Sequence, residues 1–212
     1  MRAPNIAALA GSLLALCGSA GAADFAMMET AEPITPGEFK LSGAPVVIDR
    51  ARADNDTGFV AGIGYGVAPD FDIEAQIASY EDGTWLGGDA EWTAWRARGM
   101  SLSVGGGLHG ADLDGGGSAA GLDGMLIFSY APVQRLALSA ALDAAYDDVN
   151  NRGAGVPADA RFATDGQYER YYVVPGVGYR LMRNLELLAE VGLGLNGDAD
   201  DYVSSGVSWY FR

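Results

Sequence analysis

The closing stretch Asp201-Tyr-Val-Ser-Ser-Gly-Val-Ser-Trp-Tyr-Phe-Arg212 is a strand by its period. Val203, Ser205, Val207, Trp209 and Phe211 fall on one face and Tyr202, Ser204, Gly206, Ser208 and Tyr210 on the other, because successive strand side chains point to opposite sides. The first face is apolar and ends in two aromatics; the second is small and hydroxylated. A small polar face suits a watery or tightly filled lumen better than the dry core of a soluble domain, so the stretch reads as the last strand of a transmembrane β-barrel. An ordinary amphipathic edge strand has the same period, and the rest of the chain decides between the two.

Upstream the pattern repeats. From Gly37 onward about ten alternating segments follow, each near the ~9 to 11 residues that a tilted membrane strand needs. The first, 38–49, is the least regular, since Pro45 removes a donor. Phe59, Ala61, Ile63, Tyr65 and Val67 alternate with glycine and valine in the second. In the third and fourth, Asp72, Glu74, Asp89 and Glu91 occupy the polar face. The fifth puts Ser101, Ser103 and His109 there, the sixth Asp123 and the seventh Asp143. The seventh, 136–146, is rich in Ala and Leu, which favour helices, but its period of two and its neighbours make it a strand. The eighth and ninth lead through Tyr171–Tyr179 and Leu185–Leu195 to the closing strand, with Glu186 and Glu190 on the polar face of the ninth.

Composition agrees with a membrane barrel of one domain. The 212 residues suffice for a single domain of this kind. The 28 acids against 13 bases exclude a nucleic-acid partner, whose phosphates need a basic surface. No stretch after the leader approaches the ~20 apolar residues of a membrane helix, so spanning falls to strands in a closed sheet. At the start, Arg2, the apolar run Ile6–Leu16 and Ala20-Gly21-Ala22 have the order of a secretory signal peptide, residues 1–22, with Ala23 as the expected mature start. Cys17 is the one cysteine and lies in that leader, so the mature chain is expected to be free of disulfides. Residues 23–36, with Pro33, Pro36 and three acids, read as a periplasmic N-terminal tail without a core-forming pattern, and 37–212 as the barrel.

Two regularities cut across the segments. Connections after the second, fourth, sixth and eighth are only a few residues long, while 148–167 is much longer; short periplasmic turns and longer outer loops are the barrel pattern. Tyr65, Phe71, Trp95, Tyr130, Tyr179, Trp209 and Phe211 lie beside the short turns or the C-terminus and are expected to form an aromatic girdle at headgroup level. Phe59, Tyr80, Trp85, Tyr146, Tyr171 and Tyr202 lie near the loops and suggest a second belt. The alternative, a soluble barrel or sandwich, turns the apolar face inward. Against it, the apolar face carries no ionisable residue from the second segment onward, where a mid-membrane charge would cost ~2 to 4 kcal/mol.

The signal peptide, the pieces Gly62-Ile63-Gly64-Tyr65 and Gly176-Val177-Gly178-Tyr179, and the closing Gly206–Phe211 carry a family likeness. Residues 37–212 resemble the small outer-membrane β-barrel domain of the OmpA and OmpX type, found in short porin-like proteins of Gram-negative bacteria. The resemblance implies an all-β, closed antiparallel transmembrane barrel in the outer membrane, with ten strands by the count of segments and eight as the alternative. It also implies contact with outer-membrane lipid and lipopolysaccharide, and recognition of the C-terminal strand by the barrel-assembly machinery. These motifs specify architecture and not activity.

The lumen is the candidate site. Asp72, Glu74, Asp89, Glu91, Asp123, Asp143, Glu186 and Glu190 face inward with Arg170 and Arg180 as the most evident bases. Such a set reads as a structural polar plug, or as the lining of a narrow cation-preferring channel. Acids at the loop ends, among them Asp54, Asp56, Glu81, Asp82, Asp112, Asp114, Asp147, Asp148, Asp198, Asp200 and Asp201, are candidate oxygen ligands for divalent cations, although no metal motif is complete. No cofactor motif is present. An outer-membrane hydrolase would have to use His109, the single histidine, which has no acid or serine beside it in sequence; Ser103 lies ~20 Å away along the same strand. The leading expectation is a non-enzymatic barrel with a structural or surface-interaction role.

Overall fold

A computed structural model describes residues 30–49, 55–81, 83–114, 116–150 and 165–212. The signal peptide, the start of the tail, Asp54 and Asp82 lie outside the described residues. Ten strands follow one another: β1 (Phe39–Asp49), β2 (Asp56–Ala68), β3 (Phe71–Tyr80), β4 (Gly83–Ala97), β5 (Met100–Leu113), β6 (Gly117–Val133), β7 (Leu136–Asn150), β8 (Gly166–Met182), β9 (Leu185–Gly194) and β10 (Asp201–Phe211). Each pairs antiparallel with its neighbours in sequence, and β10 returns to β1 to close the barrel. Closure leaves no strand edge unpaired, which is what a sheet in lipid requires.

Local chemistry sets the turns. Between β2 and β3, β4 and β5, β6 and β7, and β8 and β9, the strand ends leave two residues each. In the β4–β5 turn both central residues, Arg98 at φ 53° and Gly99 at φ 76°, are left-handed, the conformation whose twist suits a two-residue hairpin. Four register shifts, at Gly66/Ala68, Thr93/Trp95, Tyr130/Val133 and Arg180/Met182, all sit next to these turns, where a bulge bends the wall without breaking its middle. All three prolines within strands fall at gaps in a ladder, Pro132 at the β6–β7 step from Tyr130 to Val133. The β1–β10 register passes from Gly43 to Val46 around Pro45, and the β8–β9 register from Val173 to Gly176 around Pro175. Strands β4 to β8 run 14–17 residues and the remaining five 10–13, so one flank of the wall is longer.

Sidedness is inverted relative to a soluble protein. Ile63, Leu126 and Val207 are 47%, 40% and 45% exposed on the outside, whereas Glu74 and Glu190 are 5% and 7% exposed inside. An outer surface of Leu, Val, Ile and aromatic side chains this extensive is stable against acyl chains and not against water. A Leu126→Arg variant is therefore expected to lose about 2–4 kcal/mol of folding stability in lipid vesicles, by urea titration followed through tryptophan fluorescence. A charge in place of Ser129, which points into the lumen of the same strand, would act through packing instead.

Candidate functional site

The lumen is filled in three tiers, and each has a local cause. At the short-turn end, residues 30–36 enter the barrel from below. The Ala31 amide donates to Ser129 Oγ at 2.8 Å, Ser103 Oγ donates to the Ala31 carbonyl at 3.4 Å, and the Ile34 amide donates to Asp72 Oδ2 at 2.7 Å. Pro36 bridges to Gly66 in parallel, with the Gly37 amide donating to the Gly66 carbonyl at 2.8 Å. Gly66 has to be glycine for this approach: a Cβ there would meet the Thr35 carbonyl oxygen at 2.3 Å. Ala31 and Ile34 are buried, so this part of the N-terminal tail packs as core despite lacking a core-forming pattern of its own.

The middle tier is acidic. Across β3 and β4, Asp72 stands opposite Glu91 and Glu74 opposite Asp89; across β5, Asp89 and Asp123 both flank Gly107. Glu186 and Glu190 join from β9. Their compensation comes from Lys40, buried on β1 and ion-paired with Glu74. Ser42 Oγ donates to Glu74 Oε1 at 3.2 Å and the Tyr210 hydroxyl to Glu186 Oε2 at 3.1 Å. Arg180 reaches only the rim, its side chain 43% exposed, 3.7 Å from Glu32 and 3.8 Å from Glu186. A cavity of about 20 Å³ between this tier and residues 30–34 has room for a single water.

The outer tier is apolar and aromatic, with one charged cluster set in it. Ile48, Tyr80, Trp85, Leu113, Val149, Tyr172 and Tyr202 pack together, and the Tyr172 and Tyr202 rings meet edge-on at 5.9 Å. Inward glycines are the sockets for these rings: a Cβ on Gly192 would lie 1.9 Å from Tyr202, and one on Gly58 would lie 2.1 Å from Tyr80. Tyr80, Trp85 and Tyr202 therefore do not belong to a lipid-facing belt at the loop end, as their position along the chain suggested. Their parity in the strand turns them inward, where burial of a large ring against glycine outweighs an interfacial site. Among them, His109 Nδ1 lies 3.0 Å from Asp123 Oδ1 and Nε2 3.1 Å from Asp147 Oδ1, while Arg170 Nε and one terminal nitrogen contact Asp147 Oδ2 at 3.1 and 2.5 Å.

All ten residues expected at the lumen lie within it or at its rim, but they do not form one cluster. Asp143, on β7, lies within electrostatic reach of Asp123, His109 and Asp147. By their place in the sequence Asp56 and Asp147 belong to the loop ends. Both are fully inside, Asp56 accepting from the Glu81 amide at 3.2 Å. For Asp147 the signal was present, since it shares the parity of Asp143 and Ala145. Lys40 was missed because Pro45 made the first strand hard to phase. Of the short-turn aromatics, Tyr65, Trp95, Tyr130, Tyr179 and Trp209 are exposed on the outside, with Phe71 and Phe211 partly covered. Phe39 fills the seam, 4.8 Å from Tyr65 and 5.6 Å from Phe211. Among the described residues no three His, Cys, Asp or Glu side chains are arranged to hold a metal ion.

The chain matches an outer-membrane channel from Pseudomonas putida F1 with a TM-score of 0.56, over 90% of this chain and 100% of that one, at 9% identity. The fold is that of an outer-membrane β-barrel. The KdgM porin (TM-score 0.46, 10% identity, 82% of this chain and 99% of that one) is also similar. So is the N-terminal β-barrel domain of Pseudomonas aeruginosa OprF (TM-score 0.37, 12% identity, 83% and 98%). No protein family and no curated protein matches the sequence. As an outer-membrane barrel the chain sits in lipid through the apolar exterior described above.

Proposed function

We propose that this chain is a non-enzymatic, non-conducting barrel of the outer membrane, with a structural or surface-interaction role. One observation carries the reading: among the described residues the lumen holds residues 30–36 at one end, facing acids with Lys40 in the middle and packed rings at the other. A barrel of ten strands is narrow, and side chains fill bores of this size. A hydrolase at His109 has little to support it, because both ring nitrogens face carboxylates, the ring is buried and Ser103 is engaged by Thr93 and Ala31.

In this reading residues 1–22 direct export, the C-terminal strand meets the assembly machinery, and the aromatics at the short-turn end anchor the barrel at headgroup level. The outer end presents Asp112, Asp148, Asp165, Asp198 and Asp201, which suit divalent cations bridging to the phosphates of lipopolysaccharide. Purified barrel reconstituted into a planar bilayer is expected to give no conductance steps. Reproducible unitary steps would replace this proposal with a narrow channel, and loss of a measured hydrolytic activity in His109→Ala would replace it with an enzyme.

A further inference from the structure

Four ionisable groups from four consecutive strands converge in the outer half of the lumen: His109 of β5, Asp123 of β6, Asp147 of β7 and Arg170 of β8. His109, Asp147 and Arg170 are 1%, 0% and 0% exposed. An ionised carboxylate only accepts hydrogen bonds, and a neutral imidazole has a single N–H. Meeting Asp123 at one ring nitrogen and Asp147 at the other needs two N–H donors, which only the imidazolium has. Charge gives the same answer. Among these four described residues, two aspartates and one arginine sum to −1, and the protonated ring brings that sum to zero.

Two further carboxyl groups face the cluster, Asp143 of β7 toward His109, Asp123 and Asp147, and Asp89 of β4 toward Asp123. The β4 residue directly opposite His109 is Gly87, and the β6 residue opposite it is Gly121. Gly121 makes the seat for the ring, since a Cβ there would lie 2.2 Å from His109 Nε2.

We propose that His109 is a proton-held clasp: as imidazolium it ties β5, β6 and β7 together from inside, Arg170 extends the tie to β8, and the outer lumen stays closed while the ring keeps its proton. Loss of the proton sets a nitrogen lone pair against a carboxylate and leaves the group with unbalanced negative charge. The contribution is present while the ring is charged and is lost as pH rises through its titration. It ties β7 to β8 at the base of their long connection.

The chain has one histidine, so its ring is assigned without ambiguity. The full barrel, labelled with ¹⁵N-histidine in detergent micelles, is expected to show two protonated ring nitrogens at about pH 7, where free histidine is mostly neutral. A neutral tautomer, with the proton on a carboxyl group instead, overturns the proposal. The thermal unfolding midpoint of the wild type is expected to drop as pH rises from the ordinary histidine range into the alkaline, and the drop to be smaller in His109→Gln. A wild-type midpoint that stays flat over that range, or a drop of the same size in the variant, overturns it. Should His109→Gln fail to fold, the spectrum and the pH profile of the wild type still decide.

Discussion

Arg170→Met is expected to destabilise the barrel by about 3–5 kcal/mol, because it removes one partner of a buried ion pair and keeps most of the side-chain volume. Asp147 loses two contacts, at 3.1 and 2.5 Å, and is left facing His109 alone in a place where neither side chain reaches water. Methionine fills a similar space, so the loss reports charge and hydrogen bonding more than a cavity. Urea titration in lipid vesicles measures it. Adding Asp147→Asn to the first change is expected to recover part of the loss, since the uncompensated carboxylate is then gone; the two single variants and the double close a thermodynamic cycle that isolates the coupling. Equal losses for the single and the double variant would show that Arg170 acts through packing instead.

Gly192→Val is the second large effect. The added Cβ would lie 1.9 Å from the Tyr202 ring, within a tier where Tyr202 is already packed against Tyr172. Overpacking of a filled core typically costs about 1–3 kcal/mol, and this contact falls at the upper end because the ring has no free volume to retreat into. Gly197→Ala, where a Cβ meets nothing within 4 Å, is the matched control and is expected to stay within about 0.5 kcal/mol of wild type. A tolerated Gly192→Val would mean that the outer tier is loosely packed, and the proposed absence of conductance would weaken with it. Near-ultraviolet circular dichroism, sensitive to the tyrosine environment, reads the same displacement.

Much of the architecture was legible because it rests on local rules. Alternation in each segment depends only on neighbouring residues, so Ile63, Leu126 and Val207 were assignable to the exterior and Glu74, Asp89 and Glu190 to the lumen from the order of letters. The two-residue turns were equally visible. Trp95 was expected outside from its place beside a short turn and not from alternation: continued from Trp92 through Thr93 and Ala94, strict alternation turns it inward. The register shift between Thr93 and Trp95 turns it outward, where it is 45% exposed. A bulge is a property of two paired strands, and one strand does not reveal it.

The period of two and the spacing of turns determined that this chain is a sheet greasy outside and polar within, since side-chain parity is written into consecutive residues. Only the tertiary structure decided which residues meet. Asp123 and Asp147 lie 14 and 38 positions from His109, and Ser103 and Ser129 lie 72 and 98 positions from Ala31. Those meetings follow from the register and curvature of the closed wall, which are fixed by pairings among distant strands and by which glycine lies opposite which ring.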